Sequence, residues 1–296
     1  MSLHAYSFFL LILLAPFFAN KTVAQETKDD YARVMIIPFD PNLYFSDSDD
    51  QLSKHNDKSI KEIRTLFRYG INTTVNAKIL ARYSTLPLLT DTMKTAREDL
   101  NLIYRDISYF KDKSMPSEAM KKKIEEEKKA EKNPLTFKKK DAESEAQVTS
   151  KLNNHVLVQE YMNVKIHQPE MLAYLQKKYE TDMFVFINQF ELVTNYEHCL
   201  DRATNTFERD IKVHFSIFDA SGKQLAGDVA IAHFSSNTND ITEIIRNNFP
   251  VISEYLAGNL PNKTEKTEKT EKAETPSETP VLPKIEKGET MEFEEN

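Results

Sequence analysis

The side chains with the most chemical potential in this chain are two histidines, one cysteine and an acidic run. His214 and His233 fall near the middles of two segments that read as the strands of one hairpin, so together they could bind a metal ion. A metal site needs at least a third ligand. The spacing supplies none, so cross-strand packing or hydrogen bonding is expected and no metal or cofactor is assigned. Asp47-Ser48-Asp49-Asp50 begins like a calcium loop. An EF-hand needs an oxygen ligand at position five, Gly at six and Glu at twelve, and those places hold Gln51, Leu52 and Lys58. A polar solvent loop fits better. Cys199, the only cysteine, would need an electropositive setting to form a thiolate. Glu197 and Asp201 oppose that, although His198 is adjacent. It reads as a small, partly buried side chain.

Phosphate chemistry is equally thin. The five glycines are Gly70, Gly222, Gly227, Gly258 and Gly288. None belongs to a G-x-x-x-x-G-K or G-x-G-x-x-G loop, and there is no H-E-x-x-H. There is also no G-x-S-x-G elbow. No residue is assigned a catalytic role. One contact surface remains. Ligands of open α/β sheets bind beyond the carboxyl ends of strands, and Asp40, Tyr44, Asp47 and Asp49 follow the first predicted strand. These four are the candidate binding residues.

The elements that must position them alternate. Arg33 to Phe39 is a short apolar run, the pattern of a buried strand, and Pro38 should stop its pairing. Residues 40–58 are polar and turn-rich. Ser59, with Glu62 three residues on, has capping-box spacing. Behind it Ile60, Ile63, Phe67, Ile71, Val75 and Ile79 form a helical stripe that could run to about Tyr83. Thr85 to Leu89 is a possible second strand, and a helix near 94–110 carries Leu100, Ile103, Tyr104, Ile107 and Phe110. Pro169 suits the first turn of a helix. Met183 to Leu192 is apolar on both faces at first, as a central strand should be. Ile211 to Phe218 and Gln224 to Phe234 flank a short Gly-containing turn and predict a hairpin, with Ile211, Val213, Phe215 and Ile217 on one face. Asp240 opens a last helix that Gly258 can end. Pro250 should kink or split that helix. The expectation is an α/β (α+β) fold, a mixed sheet covered by helices. Its order is β-α-β, an inserted helix and charged loop, then α-β-β-β-α.

The flanks read differently. Residues 1–24 have the layout of a signal peptide: an apolar run from Phe8 to Phe18, then small residues at Thr22 and Ala24, with cleavage after Ala24. The run is short of the ~20 residues a spanning helix needs. No later segment is long and apolar enough, so no transmembrane span is expected in the mature chain. Residues 25–30 are a polar lead-in. Residues 111–150 are rich in Lys and Glu and read as a charged flexible insert, bracketing an exposed helix at most, because they have little apolar surface to bury. Residues 261–296, with their Thr-Glu-Lys repeat and four prolines, read as a disordered tail. Between them lies one domain, 31–260. An exported chain with a single cysteine has no internal disulfide, so the core alone must hold it. The net charge of −7 does not point to nucleic acid.

With VMIIPF, a long helix, YLQKKYETDMFVFINQFEL, the hairpin RDIKVHFSIFDASGKQL and a closing helix in this order, the chain resembles a group of bacterial envelope α/β domains. They include the amino-terminal domain of TolB, the curli secretion protein CsgG and the lipoprotein activators of penicillin-binding proteins. In that group a helix ending in Tyr-x-x-Asp precedes a strand, and here the motif is Tyr179-Glu180-Thr181-Asp182. The resemblance covers most of 31–110 and 160–258. It implies a non-catalytic domain that binds other envelope proteins or self-associates. Two departures stand out: there is no cysteine at the predicted mature start to carry a lipid, and no alternating segments of the length a membrane barrel needs. The functional expectation is an exported, periplasmic or secreted adaptor or assembly protein. The alternatives are a hydrolase acting on an envelope polymer, which would need a deep pocket with converging titratable groups, and a small-ligand carrier, which would need an apolar cavity.

Overall fold

The computed structural model describes residues 33–91, 93–132 and 160–261. The predicted signal peptide, the lead-in at 25–30, the rest of the insert to residue 150 and the tail from residue 262 lie outside these residues.

β1 (Arg33–Ile37) is the buried strand its run of apolar residues demands, with Val34, Met35 and Ile36 fully buried. It pairs in parallel with β3 (Ser84–Pro87) on one side and with β6 (Met183–Asp201) on the other. β6 pairs antiparallel with β7 (Thr206–Asp219), and β7 with β8 (Gln224–Ser235), completing the order β3-β1-β6-β7-β8. The fold is the mixed α/β architecture expected.

Helices cover both faces. On one lie α2 (Ile60–Leu80) and α6 (Ile241–Gly258). α2 begins in a complete capping box: Glu62 N donates to Ser59 Oγ and Ser59 N donates to Glu62 Oε2 at 2.8 Å. Its stripe of Ile63, Phe67, Ile71, Val75 and Ile79 is fully buried, whereas Ile60 in the first turn stays exposed. Each such side chain contributes about 1.5–3 kcal/mol over an exposed one. α2 approaches α6 at Gly70, where a Cβ would meet the Phe249 ring. On the other face Leu100 and Ile103 of α3 (Lys94–Asp106) and Leu172 and Leu175 of α5 (Glu170–Tyr179) pack with Met35, Ile37, Phe184 and Phe186.

Five expectations need correction. The stretch 40–58 is not merely turns: it holds a 3-10 turn (Pro41–Leu43), β2 (Tyr44–Ser46), which adds to β6, and α1 (Asp49–Asn56). The second strand begins one residue early and ends at Pro87, which has no N–H to offer the ladder. The helix expected over 94–110 stops at Asp106. Residues 107–110 belong to β4 (Ile107–Lys113), paired antiparallel with β5 (Glu160–Ile166) in a second sheet. Residues 111–132 are not a flexible insert. Lys111 to Lys113 finish β4, Met115 bridges Gly227 of β8, and α4 (Glu118–Lys132) buries Met120 and Ile124 in the α2–α6 core. Two well-placed apolar residues on a charged helix suffice because Gly258 leaves the space that the Met120 side chain fills. Finally, Pro250 does not split α6. Proline frees the carbonyl four residues before it, here that of Arg246. Both residues lie on the exposed face, where water can take the lost bond.

Candidate functional site

The end of β1 positions the four candidate binding residues, and each has a partner within the fold. Asp40 Oδ1 accepts from Asn42 N at 2.8 Å and caps the 3-10 turn. Tyr44 is buried, its ring stacked on Phe190 with centroids 5.5 Å apart and Arg64 5.2 Å above it. Its hydroxyl donates to Asp49 Oδ1 at 2.6 Å. Burial, and then the Asp49 carboxylate, push the phenol far above its ordinary range. Asp47 accepts from Thr194 N at 2.7 Å and fixes this loop to β6. The structure therefore joins Tyr44 to Asp49, while Asp40 caps a turn and Asp47 ties the loop to β6.

Beside them lies an open depression of about 390 Å³ lined by Pro41, Lys61, Arg64, Thr65, Arg68 and Tyr69. Arg68 is held by Phe39 O and the Tyr104 hydroxyl, at 2.8 and 2.7 Å. Three cations and no carboxylate line it, which suits contact with an anion and gives no acid–base pair.

The Tyr-x-x-Asp stretch also has structural work. Glu180 adopts φ 52° and ends α5. Asp182 Oδ2 accepts from Arg33 N at 3.1 Å, setting β1 against β6. The Tyr179 hydroxyl donates to buried Asp99, which also pairs with Lys178 at 2.6 Å. Burial and the Asp99 contact raise the Tyr179 phenol to about 12.

A polar layer joins the second sheet to the first. Ser216 Oγ donates to Asn163 Oδ1 at 2.6 Å, and Asn188 Nδ2 reaches Ser216 Oγ at 2.8 Å and Met162 O at 2.7 Å. Asn163 Nδ2 contacts Asp112 Oδ2 and Gln224 Oε1, both at 3.0 Å. Met162 N donates to His214 Nδ1 at 3.0 Å, which leaves the proton of a neutral ring on Nε2. That atom stands 3.3 Å from Glu191 Oε1, close but off the hydrogen-bond line. His214 holds the Glu191 carboxyl below the usual range. Buried and largely bonded to one another, with Asn188 Oδ1 and His214 Nε2 left over, these groups orient one sheet on the other.

Farther along the same strands the layer turns ionic. His233 is not opposite His214: the register sets Val229 against His214 and Asp210 against His233. The metal-ligand types beside His233 that the spacing did not reveal are therefore Asp210 and Glu208, and His214 is not among them. One ligand atom from each of Glu208, Asp210 and His233 lies within 4.8 Å of the others. The signal was present in the sequence: acids two apart on a strand share a face, and a shift of hairpin register brings a histidine opposite them.

Beyond this cluster β6 and β7 continue as a two-stranded ribbon, residues 196–207. Tyr196 is 69% and Leu200 49% exposed. Tyr196 meets the Phe207 ring at 5.2 Å, and Asn205 takes φ 52° in the turn. Cys199 is half-buried and unpaired in any disulfide. No helix among the described residues is long and apolar enough to cross a membrane. No protein-family model, curated protein or solved structure matches this chain.

Proposed function

We propose that this is an exported, non-catalytic envelope protein that acts by binding another protein, with the ribbon at 196–207 as its contact element. The observation that carries this reading is the exposure of Tyr196 and Leu200 on a hairpin that extends from the central sheet. Tyrosine and arginine are enriched in the energetic centres of interfaces, and Arg202 is exposed in the same turn. The predicted signal peptide and the envelope-domain resemblance support the compartment. The cationic depression favours binding over hydrolysis, since no nucleophile and base converge there.

A photoreactive residue at position 196 or 200, in intact cells, tests this. The expected result is one reproducible adduct with an envelope protein, absent when the probe stands at Lys94 on α3, which is also highly exposed. An adduct with a second copy of the chain makes the contact self-association. Equal labelling from all three positions would sink the reading.

A further inference from the structure

Glu208, Asp210 and His233 stand at the root of the ribbon, on one face of the sheet. Glu208 and Asp210 alternate with core-facing residues on β7, and β8 presents His233 directly opposite Asp210. His233 Nδ1 is 2.7 Å from Asp210 Oδ1 and 3.4 Å from Glu208 Oε1. A bulge brings a fourth group. Pairing jumps from Asn195–Glu208 to Cys199–Phe207, so β6 uses several residues where β7 advances one. Bulges re-aim side chains in this way, and His198 Nδ1 arrives 2.9 Å from Glu208 Oε1.

We propose that Glu208, Asp210, His233 and His198 form a binding site for a divalent transition metal of the zinc class. Zinc bonds of about 2.0–2.2 Å place neighbouring tetrahedral ligand atoms roughly 3.3–3.5 Å apart. Glu208, Asp210 and His233 already hold ligand atoms within 4.8 Å of one another, with His233 Nδ1 2.7 and 3.4 Å from the two carboxylates. His198, 2.9 Å from Glu208, stands outside that group and has to swing inward on its exposed side chain to complete the set. Two carboxylates match the charge of the ion, and two imidazoles favour zinc over calcium or magnesium. Access and shielding are both present. The side chains of Glu208, Asp210 and His233 are 18%, 12% and 19% exposed, while His198, at 61%, is the outer ligand. The ion would tie β6, β7 and β8 together where the three-stranded part of the sheet gives way to the ribbon. The site stands independently of any protein partner.

The same contacts could serve as a metal-free hydrogen-bonded cluster, and titration calorimetry of the untagged full chain with Zn²⁺ alone separates the two. The expected result is one ion per chain with micromolar or tighter affinity, about −8 kcal/mol or better. His233→Gln and Asp210→Asn should each weaken binding by at least about 100-fold, since even outer-shell changes cost 10–100-fold. Circular dichroism checks that both variants fold. Co²⁺ bound to the unaltered chain should show the visible absorption of a four-coordinate site. Absence of saturation by about 1 mM Zn²⁺, unchanged affinity in folded His233→Gln, or displacement of Zn²⁺ by an equal concentration of Ca²⁺ would each overturn the proposal.

Discussion

β6 and β7 run as one hydrogen-bonded ladder, yet their two ends have opposite chemistry. At the inner end Met183 to Phe190 is buried throughout, with helices or the second sheet on both faces. At the outer end Tyr196 to Asp201 is half-buried or exposed, and the side chains are polar, ionic or isolated apolar groups. Pairing is antiparallel at both ends, though register shifts at Asn195/Cys199 and Cys199/Asp201 interrupt the outer one, and pairing alone does not decide which end is stable. What covers each end does. Stability is concentrated at the inner end, and the proposed contact element lies at the outer one.

The strongest test of that contrast is at Phe186, 1% exposed and set edge-on to Phe218 with centroids 5.7 Å apart. Phe186→Ala should cost roughly 3–5 kcal/mol in urea unfolding. A loss below about 1 kcal/mol would mean the inner end is not the anchor.

The inner end was legible because its chemistry is local. An apolar run on both faces marks a central strand, and the period-two pattern of Ile211, Val213, Phe215 and Ile217 gives the face that is fully buried. Ser59 and Glu62 announce α2 just as plainly. β4 and β5 were not legible for a physical reason. Ile107 and Phe110 continue the stripe of α3, so helix and strand were equally consistent until pairing with Ile166 and Asn163 decided it. α4 looked solvated because only two of its described side chains, Met120 and Ile124, are buried. The polar layer was invisible because Asn163 and Ser216 are 53 positions apart. The ionic cluster was half visible: His233 stands out with His214, but only the hairpin register, which the sequence does not fix, sets it opposite Asp210.

Where β5 packs on the inner end, at Ser216 opposite Phe186, the polar contacts predict an intermediate effect. Asn163 accepts from Ser216 Oγ and Val164 N and donates to Asp112 and Gln224. Asn163→Ala leaves several of these groups unsatisfied in a buried layer, for a loss of about 1–3 kcal/mol. A double-mutant cycle with Ser216→Ala should show coupling, since the two share one bond. Purely additive losses would argue that the layer packs without orienting the sheets.

A smaller, pH-dependent effect lies at Glu191. His214 beside it depresses the folded carboxyl pKa. The unfolded carboxyl therefore takes up a proton first as pH falls. Stability from this pair is present above the ordinary glutamate range and is lost as pH drops through the lower, folded value. Glu191→Gln should lower the melting temperature at neutral pH, and the gap to the unaltered chain should close in acid. A gap that stays constant to the acid limit would remove Glu191 from the linkage.

The outer end should show almost no effect on stability and a large one on binding. Tyr196 and Leu200 bury little, so Tyr196→Ser with Leu200→Ser should change unfolding by no more than about 0.5 kcal/mol. If the ribbon is the contact element, the same double variant should lose the partner adduct reported by a probe at exposed Arg202. The two readouts must separate for the contrast to hold. A large loss of stability would show that Tyr196 packs as part of the body, through its ring contact with Phe207. Unchanged stability with an unchanged adduct would take the binding energy away from Tyr196 and Leu200. The cationic face of α2, where Lys61, Arg64 and Arg68 line the open depression, is then the next surface to probe, because contacts such as those of Arg68 with Phe39 O and Tyr104 hold its side chains in position.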